Sequence, residues 1–232
     1  MSDTILVTGA NRGIGLELSR QYAAAGWRVL ACCRRPDQAG ELNALAQQSG
    51  GRLAVHQLDV RDTERIGRLA AELEGEAIDI LLNNAGISGP RPQEFGAIDT
   101  EGWLETFRVN TIAPYQMALA FAGHVARSRR RIFATVGTIM GSIADNRSGG
   151  YYAYRSSKAA VHMVMRSLAV DLAPQGLTAV TFHPGWVRTE MGGAEATLTP
   201  AESVAGLRRV LNELTPEHSG RFFDYQGREL PW

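Results

Sequence analysis

Few features of this sequence point to secretion, to a membrane or to a charged partner. The 232 residues include only two cysteines, Cys32 and Cys33, and adjacent cysteines that point to opposite faces of a strand cannot form a disulfide framework. Lysine plus arginine and aspartate plus glutamate each total 24, so no net charge favours nucleic acid or an anionic membrane as a partner. The longest apolar runs are strand-sized, and no basic and apolar leader precedes Ile5. We therefore expect a soluble, cytoplasmic protein with neither a targeting segment nor a membrane partner.

The chain has the length of one domain and shows no repeat, low-complexity tract or linker. Short apolar and β-branched runs alternate with segments of helical periodicity. The predicted strands are residues 4–7, 28–33, 53–58, 78–82, 131–136, 178–182 and 221–224. Alternation of this kind indicates a parallel sheet with right-handed crossovers. We predict a single α/β domain over residues 1–232, a doubly wound parallel sheet of about seven strands with helices on both faces.

A glycine-rich turn, residues 8–15, joins the first predicted strand to the first predicted helix. Glycine permits positive φ and a close approach of the backbone, and the helix N-terminus beyond it presents free N–H groups to a pyrophosphate. The strand, turn and helix context favours dinucleotide binding over a plain tight turn. The spacing is GxxxGxG, one residue longer in its first gap than GxGxxG. The candidate contacts are Gly9, Asn11, Arg12, Gly13, Ile14 and Gly15.

The end of the second predicted strand carries arginines and no acid. An acid at this position binds the 2′-hydroxyl of NAD, whereas an arginine suits the 2′-phosphate of NADP. Arg34 and Arg35 follow the strand, and Arg12 of the glycine turn lies within reach of the same phosphate. Two arginines at a strand end are often simply solvated. The three together favour NADP(H) over NAD(H).

Polar residues also follow the third and fourth predicted strands. Ligands of a doubly wound sheet bind beyond the carboxyl ends of its strands, which is where Asp59 and residues 83–86 fall. Asp59 is also a suitable helix cap, and Asn83 and Asn84 are also turn formers. The candidate contacts here are Asp59, Val60, Asn83, Ala85 and Gly86.

Asn110 separates two predicted helices, residues 99–109 and 111–127. Asparagine is a poor helix former, and such a position is usually explained by a local kink or by a water held in the interior. A structural and a functional interpretation both stay open at this point.

Tyr154 and Lys158 lie four residues apart on a predicted helix that Pro174 and Gly176 end. Residues at this spacing share one helix face. A neighbouring ammonium favours the phenolate and lowers a tyrosine pKa that is ordinarily near 10, and a tyrosine tuned in this way can give or take a proton. An ordinary amphipathic helix with these two residues at its edge is the alternative.

Four motifs along the chain agree with one another. They are Thr8-Gly9-x-x-x-Gly13-x-Gly15, Asn83-Asn84-Ala85-Gly86, Tyr154-x-x-x-Lys158 and Pro184-Gly185. In this order, and over essentially the whole length, the chain resembles the short-chain dehydrogenase/reductase family in its compact single-domain type, which has a Rossmann fold. Residues 141–145, 149–154 and 220–224 resemble more closely the C-factor-like and sniffer-like carbonyl reductases.

The resemblance implies a hydride transfer between NADP(H) and a carbonyl or alcohol. Tyr154 would be the general acid and base, Lys158 would lower its pKa and hold the nicotinamide ribose, and Asn110 would hold a water of a proton relay. The glycines would line the pyrophosphate, and Asp59 and Val60 the adenine. The remaining implied cofactor contacts are Asn83, Ala85, Gly86, Pro184, Gly185, Val187 and Thr189.

One position departs from the family pattern. A Ser-Ser-x-x-Gly sequence, whose second hydroxyl binds the substrate oxygen, reads here Gly137-Thr138-Ile139-Met140-Gly141. Thr138 keeps the hydroxyl but adds a methyl group, and Ser142 is the alternative donor. This change and the resemblance to C-factor proteins suggest the second hypothesis, a dinucleotide-binding signalling or regulatory protein with little turnover. The expected substrate pocket, for which core packing is the alternative, consists of Met140, Ser142, Tyr151, Trp186 and Met191.

Other expectations concern the substrate, assembly and metals. The segment after Thr189 is short for a lid, which favours an open pocket for an aldehyde or ketone. The resemblance implies a homodimer or homotetramer formed by the helix over 111–127 and the Tyr154 helix. Phe121, Met163 and Val164 suit such an interface or burial against the sheet equally well. The histidines show no ligand spacing, so we predict no catalytic metal.

Overall fold

The computed structural model describes residues 2–232, and within them seven strands form one parallel sheet. The strand order is β3-β2-β1-β4-β5-β6-β7. The strands are β1 (Thr4–Thr8), β2 (Arg28–Cys33), β3 (Leu53–Gln57), β4 (Ile80–Asn83), β5 (Ile132–Val136), β6 (Thr178–His183) and β7 (Phe222–Asp224). The order reverses between β1 and β4, which is the switch point where a doubly wound sheet opens a crevice for ligands. The predicted fold class is therefore confirmed.

The helices cover both faces of the sheet. They are α1 (Gly13–Ala24), α2 (Gly40–Gln48), α3 (Thr63–Glu72), α4 (Thr100–Phe107), α5 (Ala113–Ala126), α6 (Tyr152–Asp171) and α7 (Pro200–Glu213). Apolar residues of α1, α2 and α7 pack in one cluster, and those of α3, α5 and α6 pack in a second cluster on the opposite face. No helix in the described chain combines the length and the apolar character that crossing a bilayer requires.

Side chains alternate between these two clusters along each central strand. In β1, Ile5 and Val7 pack in the first cluster and Leu6 packs in the second, as the two-residue period of a strand requires. Cys33 and Cys32 divide in the same way, and both are free thiols. A sheet buried on both faces explains why its strands are almost continuously apolar.

Several element boundaries differ from the sequence prediction. A π-helical turn, Arg108–Ile112, joins α4 to α5, so that Asn110 lies in a wide turn and not between two separate helices. β4 begins at Ile80, two residues later than predicted. α7 begins at Pro200, slightly before the helix that the sequence predicts near residues 202–214, because Thr199 caps it through a capping box with Glu202. Phe121 is fully buried against the sheet, so it cannot belong to an exposed interface.

Candidate active site

The predicted site residues converge on one edge of the sheet. All neighbouring strands pair in parallel, so the residues that follow β1 to β6 lie beyond the same carboxyl ends. The predicted cofactor contacts found at or just beyond this edge are Gly9, Asn11, Arg12, Gly13, Ile14, Gly15, Arg34, Asp59, Val60, Asn83, Ala85, Gly86, Pro184, Gly185, Val187 and Thr189.

The glycine turn has no room for a side chain at Gly15. A Cβ at this position would overlap the Gly9 carbonyl oxygen and lie 2.5 Å from Asn84 Nδ2. Asn84 Nδ2 donates to the carbonyl oxygens of Thr8 at 2.9 Å and Gly9 at 3.1 Å. The side chain of Asn84 therefore ties the segment after β4 to the turn after β1. Gly9 and Gly13 have φ values of +66° and +54°, a conformation that favours glycine.

Two features of this edge fit the pyrophosphate and the adjoining parts of a dinucleotide. The backbone of Arg12 is extended at the start of α1, and its side chain does not cap the helix. The first N–H groups of α1 therefore have no side-chain cap, and the start of a helix is suited to bind an anion. Asn83 Nδ2 is buried and has no hydrogen-bond partner among residues 2–232. A buried donor without a partner is costly, and a bound polar ligand would relieve that cost.

The arginine rim differs from the prediction. Arg12 forms an ion pair with Glu190, which belongs to the segment after β6. Arg35 donates to Gln38 at 3.3 Å. Arg34 has no hydrogen-bond or ion-pair partner within the part of the chain that the structure describes. Of the three arginines, only Arg34 therefore has a side chain without a partner among the described residues.

The side chain of Asp59 also has a partner within the protein. Arg61 Nη2 lies 2.6 Å from Asp59 Oδ2, and Arg61 Nη1 lies 2.7 Å from Glu105 Oε1. The hydrogen bonds from Arg61 hold the pKa of Asp59 below its ordinary value, so this side chain is a carboxylate acceptor at neutral pH. Arg61 and Glu105 were not predicted as site residues.

Tyr154 and Lys158 share one face of α6, as predicted. Lys158 Nζ lies 5.9 Å from the Tyr154 ring centroid and donates to the Val136 carbonyl oxygen at 2.9 Å. Burial lowers the pKa of Lys158 to about 8. Burial also raises the pKa of Tyr154 to about 12, which its hydrogen bond with the Thr138 side chain only partly offsets. Burial thus dominates the pKa of Tyr154 in this structure, and that Lys158 lowers this pKa stays a prediction.

Thr138 and Ser142 occupy different environments. Thr138 begins a short 3₁₀ turn, Ile139–Gly141, and its hydroxyl accepts from the Met140 N–H at 3.2 Å. Ser142 Oγ donates to the Trp232 carbonyl oxygen at 2.9 Å and accepts from the Asp145 N–H at 3.2 Å. Ser142 is fully buried, so its expected place in a substrate pocket is not supported. Of the two hydroxyls, only that of Thr138 interacts with Tyr154.

Asn110 uses its whole side chain to join two parts of the site. Its Oδ1 accepts from the Ile87 N–H, and its Nδ2 donates to the Ile87 carbonyl oxygen, both at 2.9 Å. Nδ2 also donates to Ser157 Oγ at 3.0 Å. A Cβ at Gly86 would lie 3.3 Å from Asn110 Oδ1 and 3.5 Å from Lys158 Nζ. Both Nδ2 protons are thus used within the protein, whereas Oδ1, with two lone pairs, accepts one hydrogen bond. The expected water at Asn110 stays a prediction.

The segment after β6 spans both halves of the edge. A Cβ at Gly13 would lie 3.1 Å from Thr189 Cγ2, and Met191 Sδ lies 4.0 Å from Tyr154 Oη. Trp186 Nε1 donates to the Gly192 carbonyl oxygen at 2.8 Å. The side chain of Val187 is buried and belongs to the core.

The expected pocket walls are largely solvent-facing. Trp186, Met191 and Tyr151 are each about half exposed, with relative accessibilities of 53%, 51% and 48%. Core packing, the alternative for these three residues, is therefore wrong. Met140 is half-buried and its carbonyl oxygen accepts from Arg155 Nη1 at 3.2 Å.

Two contributors to the site region had no signal in the sequence. Gln93 lies in a segment without regular structure, yet its Oε1 accepts from the N–H of Tyr154 at 3.1 Å. The carbonyl oxygen of Trp232 accepts a hydrogen bond from the hydroxyl of Ser142, and the Trp232 ring stacks on that of Phe222, with ring centroids 5.4 Å apart. Both contacts join residues far apart in the chain, so no local pattern could reveal them.

Comparison with known proteins agrees with this geometry. The family model described as short chain dehydrogenase matches residues 3–198. C-signal of Myxococcus xanthus is 48% identical over 155 residues, which cover 67% of this chain and 93% of that protein. The structure of carbonyl reductase Sniffer of D. melanogaster aligns with a TM-score of 0.93 at 33% identity and covers all of both chains. The structure of NADPH-bound carbonyl reductase from chicken fatty liver aligns with a TM-score of 0.92 at 33% identity and covers 100% of this chain and 99% of that chain.

These similarities confirm the resemblance to C-factor-like and sniffer-like proteins. The cofactor class that fits the carboxyl edge of the sheet is a nicotinamide dinucleotide, and the substrates of the family are small molecules. The chain belongs to the short chain dehydrogenase family of oxidoreductases.

Proposed function

We propose that the protein is an NADP(H)-dependent carbonyl reductase in which Tyr154 is the proton donor. The observation that carries the proposal is the convergence of Tyr154, Lys158 and Thr138 at the carboxyl edge of the sheet, next to the glycine turn and the start of α1. The carbonyl reductase structures of similar fold support the same reaction class.

The protonation states favour the reductive direction. With a pKa of about 12, the phenol of Tyr154 keeps its proton near neutral pH, so it can donate to a substrate oxygen on which negative charge develops. When bound, the nicotinamide would supply the hydride to the carbonyl carbon. The Thr138 hydroxyl would stabilise the same oxygen, and the proton from Tyr154 Oη would complete the alcohol.

Lys158 is suited to return a proton to Tyr154. Its pKa of about 8 is far below the value of about 12 for the phenol, so transfer from the ammonium to a phenolate is favourable. Lys158 would also bind the nicotinamide ribose. A water on the main chain of the π turn at Asn110 would extend the relay to solvent.

The preference for NADP(H) rests on Arg34 and Arg12. Arg34 is uncommitted, and Arg12 would exchange Glu190 for the 2′-phosphate, which offers a bidentate partner of higher charge. Val60 and Asp59 would contact the adenine. The exposed Trp186, Met191 and Tyr151, together with Met140, would form an open substrate wall. A homodimer or homotetramer, a cytoplasmic location and the absence of a catalytic metal stay predictions.

A regulatory protein with little turnover is the second candidate. It is favoured by the 48% identity to a protein named C-signal and by a threonine in place of serine at position 138. This candidate predicts cofactor binding without oxidation of the cofactor by any aldehyde or ketone. The intact set of Tyr154, Lys158 and Asn110 favours the enzyme.

The test combines cofactor binding with turnover. NADPH and NADH are titrated against tryptophan fluorescence, and a panel of aldehydes and ketones is then assayed with wild-type protein and Tyr154→Phe. We expect tighter NADPH binding, and a loss of at least about a hundredfold in kcat for Tyr154→Phe with unchanged NADPH affinity. Full turnover by Tyr154→Phe would exclude the mechanism, and failure to bind either nucleotide would exclude both candidates.

A further inference from the structure

The start of α6 is held by a residue from a distant segment. Tyr151 precedes α6 with a left-handed φ of 49°, and its side chain does not cap the helix. The N–H of Tyr154 donates instead to Oε1 of Gln93 at 3.1 Å, 61 residues away in sequence. The first turn of a helix leaves its N–H groups without intrahelical partners, so Gln93 supplies an acceptor to the residue that carries the reactive phenol.

The other end of the Gln93 amide is also bound. Its Nε2 donates to the Ser88 carbonyl oxygen at 2.6 Å, and Gln93 is 96% buried, with a relative accessibility of 4%. One partner is a donor and the other an acceptor, so they fix the orientation of the amide. Neither glutamate nor leucine supplies both functions in this place.

Neighbouring contacts make the link stiff. Gly89 has a φ of +84°, and a Cβ there would lie 2.9 Å from Thr106 Oγ1 and 3.2 Å from the Ala153 side chain. Trp103 Nε1 of α4 donates to Ser156 Oγ of α6 at 2.9 Å. The segment 88–93 and α4 therefore lie directly on the first turn of α6, and a shift of the segment would displace that turn.

We propose that Gln93 is a positioning residue for Tyr154. It sets the position of the first turn of α6 relative to the segment 88–93, and so fixes where the phenol stands relative to Thr138. A cavity of about 100 Å³ lies beside this link and is lined by Arg91, Pro92, Gln93, Glu94, Gly150 and Tyr151. The inference rests on the proposed function for its effect on turnover, but the link itself can be measured without substrate.

The first measurement is amide hydrogen exchange of the isolated protein. Gln93→Leu removes both hydrogen bonds and should accelerate exchange of the Tyr154 amide at least about tenfold, because a hydrogen bond to a buried group is lost. Gln48→Leu is the matched control, since Gln48 is exposed on α2 and makes no side-chain hydrogen bond within residues 2–232. Unchanged protection of Tyr154 in Gln93→Leu would overturn the proposal.

The second measurement is steady-state kinetics with the best carbonyl substrate. Small misplacement of a catalytic group costs up to about a hundredfold in rate, so we expect kcat of Gln93→Leu to fall by about 10- to 100-fold. KM and the NADPH dissociation constant should stay within about twofold, because the substrate and cofactor contacts are intact. Gln93→Glu keeps the acceptor for Tyr154 but opposes the Ser88 carbonyl, and should lie between wild type and Gln93→Leu.

The two measurements separate failure of this inference from failure of the proposed function. Faster Tyr154 exchange with unchanged kcat would overturn the positioning role, and so would an equal loss in Gln48→Leu. If the wild-type protein turns over no carbonyl, the proposed function fails. The exchange result then decides alone whether Gln93 holds the catalytic turn.

Discussion

The nucleotide side and the substrate side of the site are built in different ways. At the glycine turn, the backbone of Gly9 and Gly15 meets Asn84 and Ala85 at distances that leave no room for a Cβ. On the substrate side, Trp186, Met191 and Tyr151 are about half exposed. The first region is therefore shaped by main-chain contacts that admit almost no substitution, whereas the second is shaped by side chains that can change without disturbing the sheet.

This difference predicts that the cofactor side tolerates fewer substitutions than the substrate side. Main-chain contacts between strand ends are part of the packed core, so a substitution that disturbs them also disturbs the packing of the fold. Solvent-facing side chains on the segments after β5 and β6 contribute little to stability. We therefore expect mutations on the nucleotide side to reduce stability and binding more than mutations on the substrate side.

The largest expected effect comes from a substitution on the nucleotide side of the site. Gly15→Ala places a Cβ against the Gly9 carbonyl oxygen and 2.5 Å from Asn84 Nδ2, so we expect a loss of about 3 kcal/mol or more in the free energy of unfolding, through overpacking. NADPH binding should be lost as well. Urea denaturation and fluorescence titration measure the two effects.

The matched control for Gly15→Ala is the same substitution in another helix. Gly67 lies in α3, and a Cβ there meets nothing within 4 Å. Gly67→Ala should be neutral or stabilise by up to about 1 kcal/mol, because alanine is the better helix former. Equal stability of the two variants would contradict the tight main-chain packing on the nucleotide side.

An intermediate effect concerns the core behind both halves. His162, on α6, lies between the glycines at 137 and 141 and the ring of Phe222. Burial, together with smaller contributions from Lys158 and His183, lowers its pKa from the ordinary 6.5 to about 3. Below pH 6.5 the unfolded imidazole binds a proton that the folded one does not, so the unfolded state is favoured progressively as pH falls towards 3.

His162→Gln removes this titration. Between pH 7 and pH 5 the wild-type protein should lose up to about 2 kcal/mol more unfolding free energy than His162→Gln. Urea denaturation of both proteins at pH 7 and pH 5 gives the change in unfolding free energy for each. The difference between these two changes cancels any effect of the substitution on packing that does not depend on pH. An identical loss in both proteins would show that the pKa of His162 does not differ between the folded and unfolded states. His183, whose pKa is lowered to about 4, remains in both proteins.

The smallest expected effect concerns the ion pair that joins the two sides. Arg12 of the glycine turn pairs with Glu190 of the segment after β6, and both side chains are mostly exposed. Exposed pairs contribute about 0–1 kcal/mol, so Glu190→Gln should tighten NADPH binding by about two- to fivefold by freeing Arg12 for the 2′-phosphate. Binding of NADH should not change.

The control for Glu190→Gln is Glu195→Gln, which removes the same charge from an exposed position on the same segment. An equal gain in both variants would assign the effect to net charge alone. An unchanged NADPH affinity in Glu190→Gln would show that Arg12 does not reach the phosphate, and would leave Arg34 as the basis of the cofactor preference.

Local patterns in the sequence were sufficient to predict the sheet, the glycine turn and the shared helix face of Tyr154 and Lys158. Strand and helix periods, and a spacing of four residues on a helix, are properties of short segments. Parallel topology then brings the residues after each strand to one edge. The positions of Gly9 and Asn83 at this edge follow from these rules, whereas the role of Tyr154 was implied by the family resemblance.

Only the tertiary structure decided how these groups are connected. Arg12 pairs with a residue 178 positions away, Ser142 with one 90 positions away and Tyr154 with Gln93, 61 positions away. The pKa of Tyr154 likewise depends on burial and on the Thr138 side chain. Such contacts are set by how separate segments pack and by the surroundings that this packing creates, and neither is encoded in the spacing of residues within one segment.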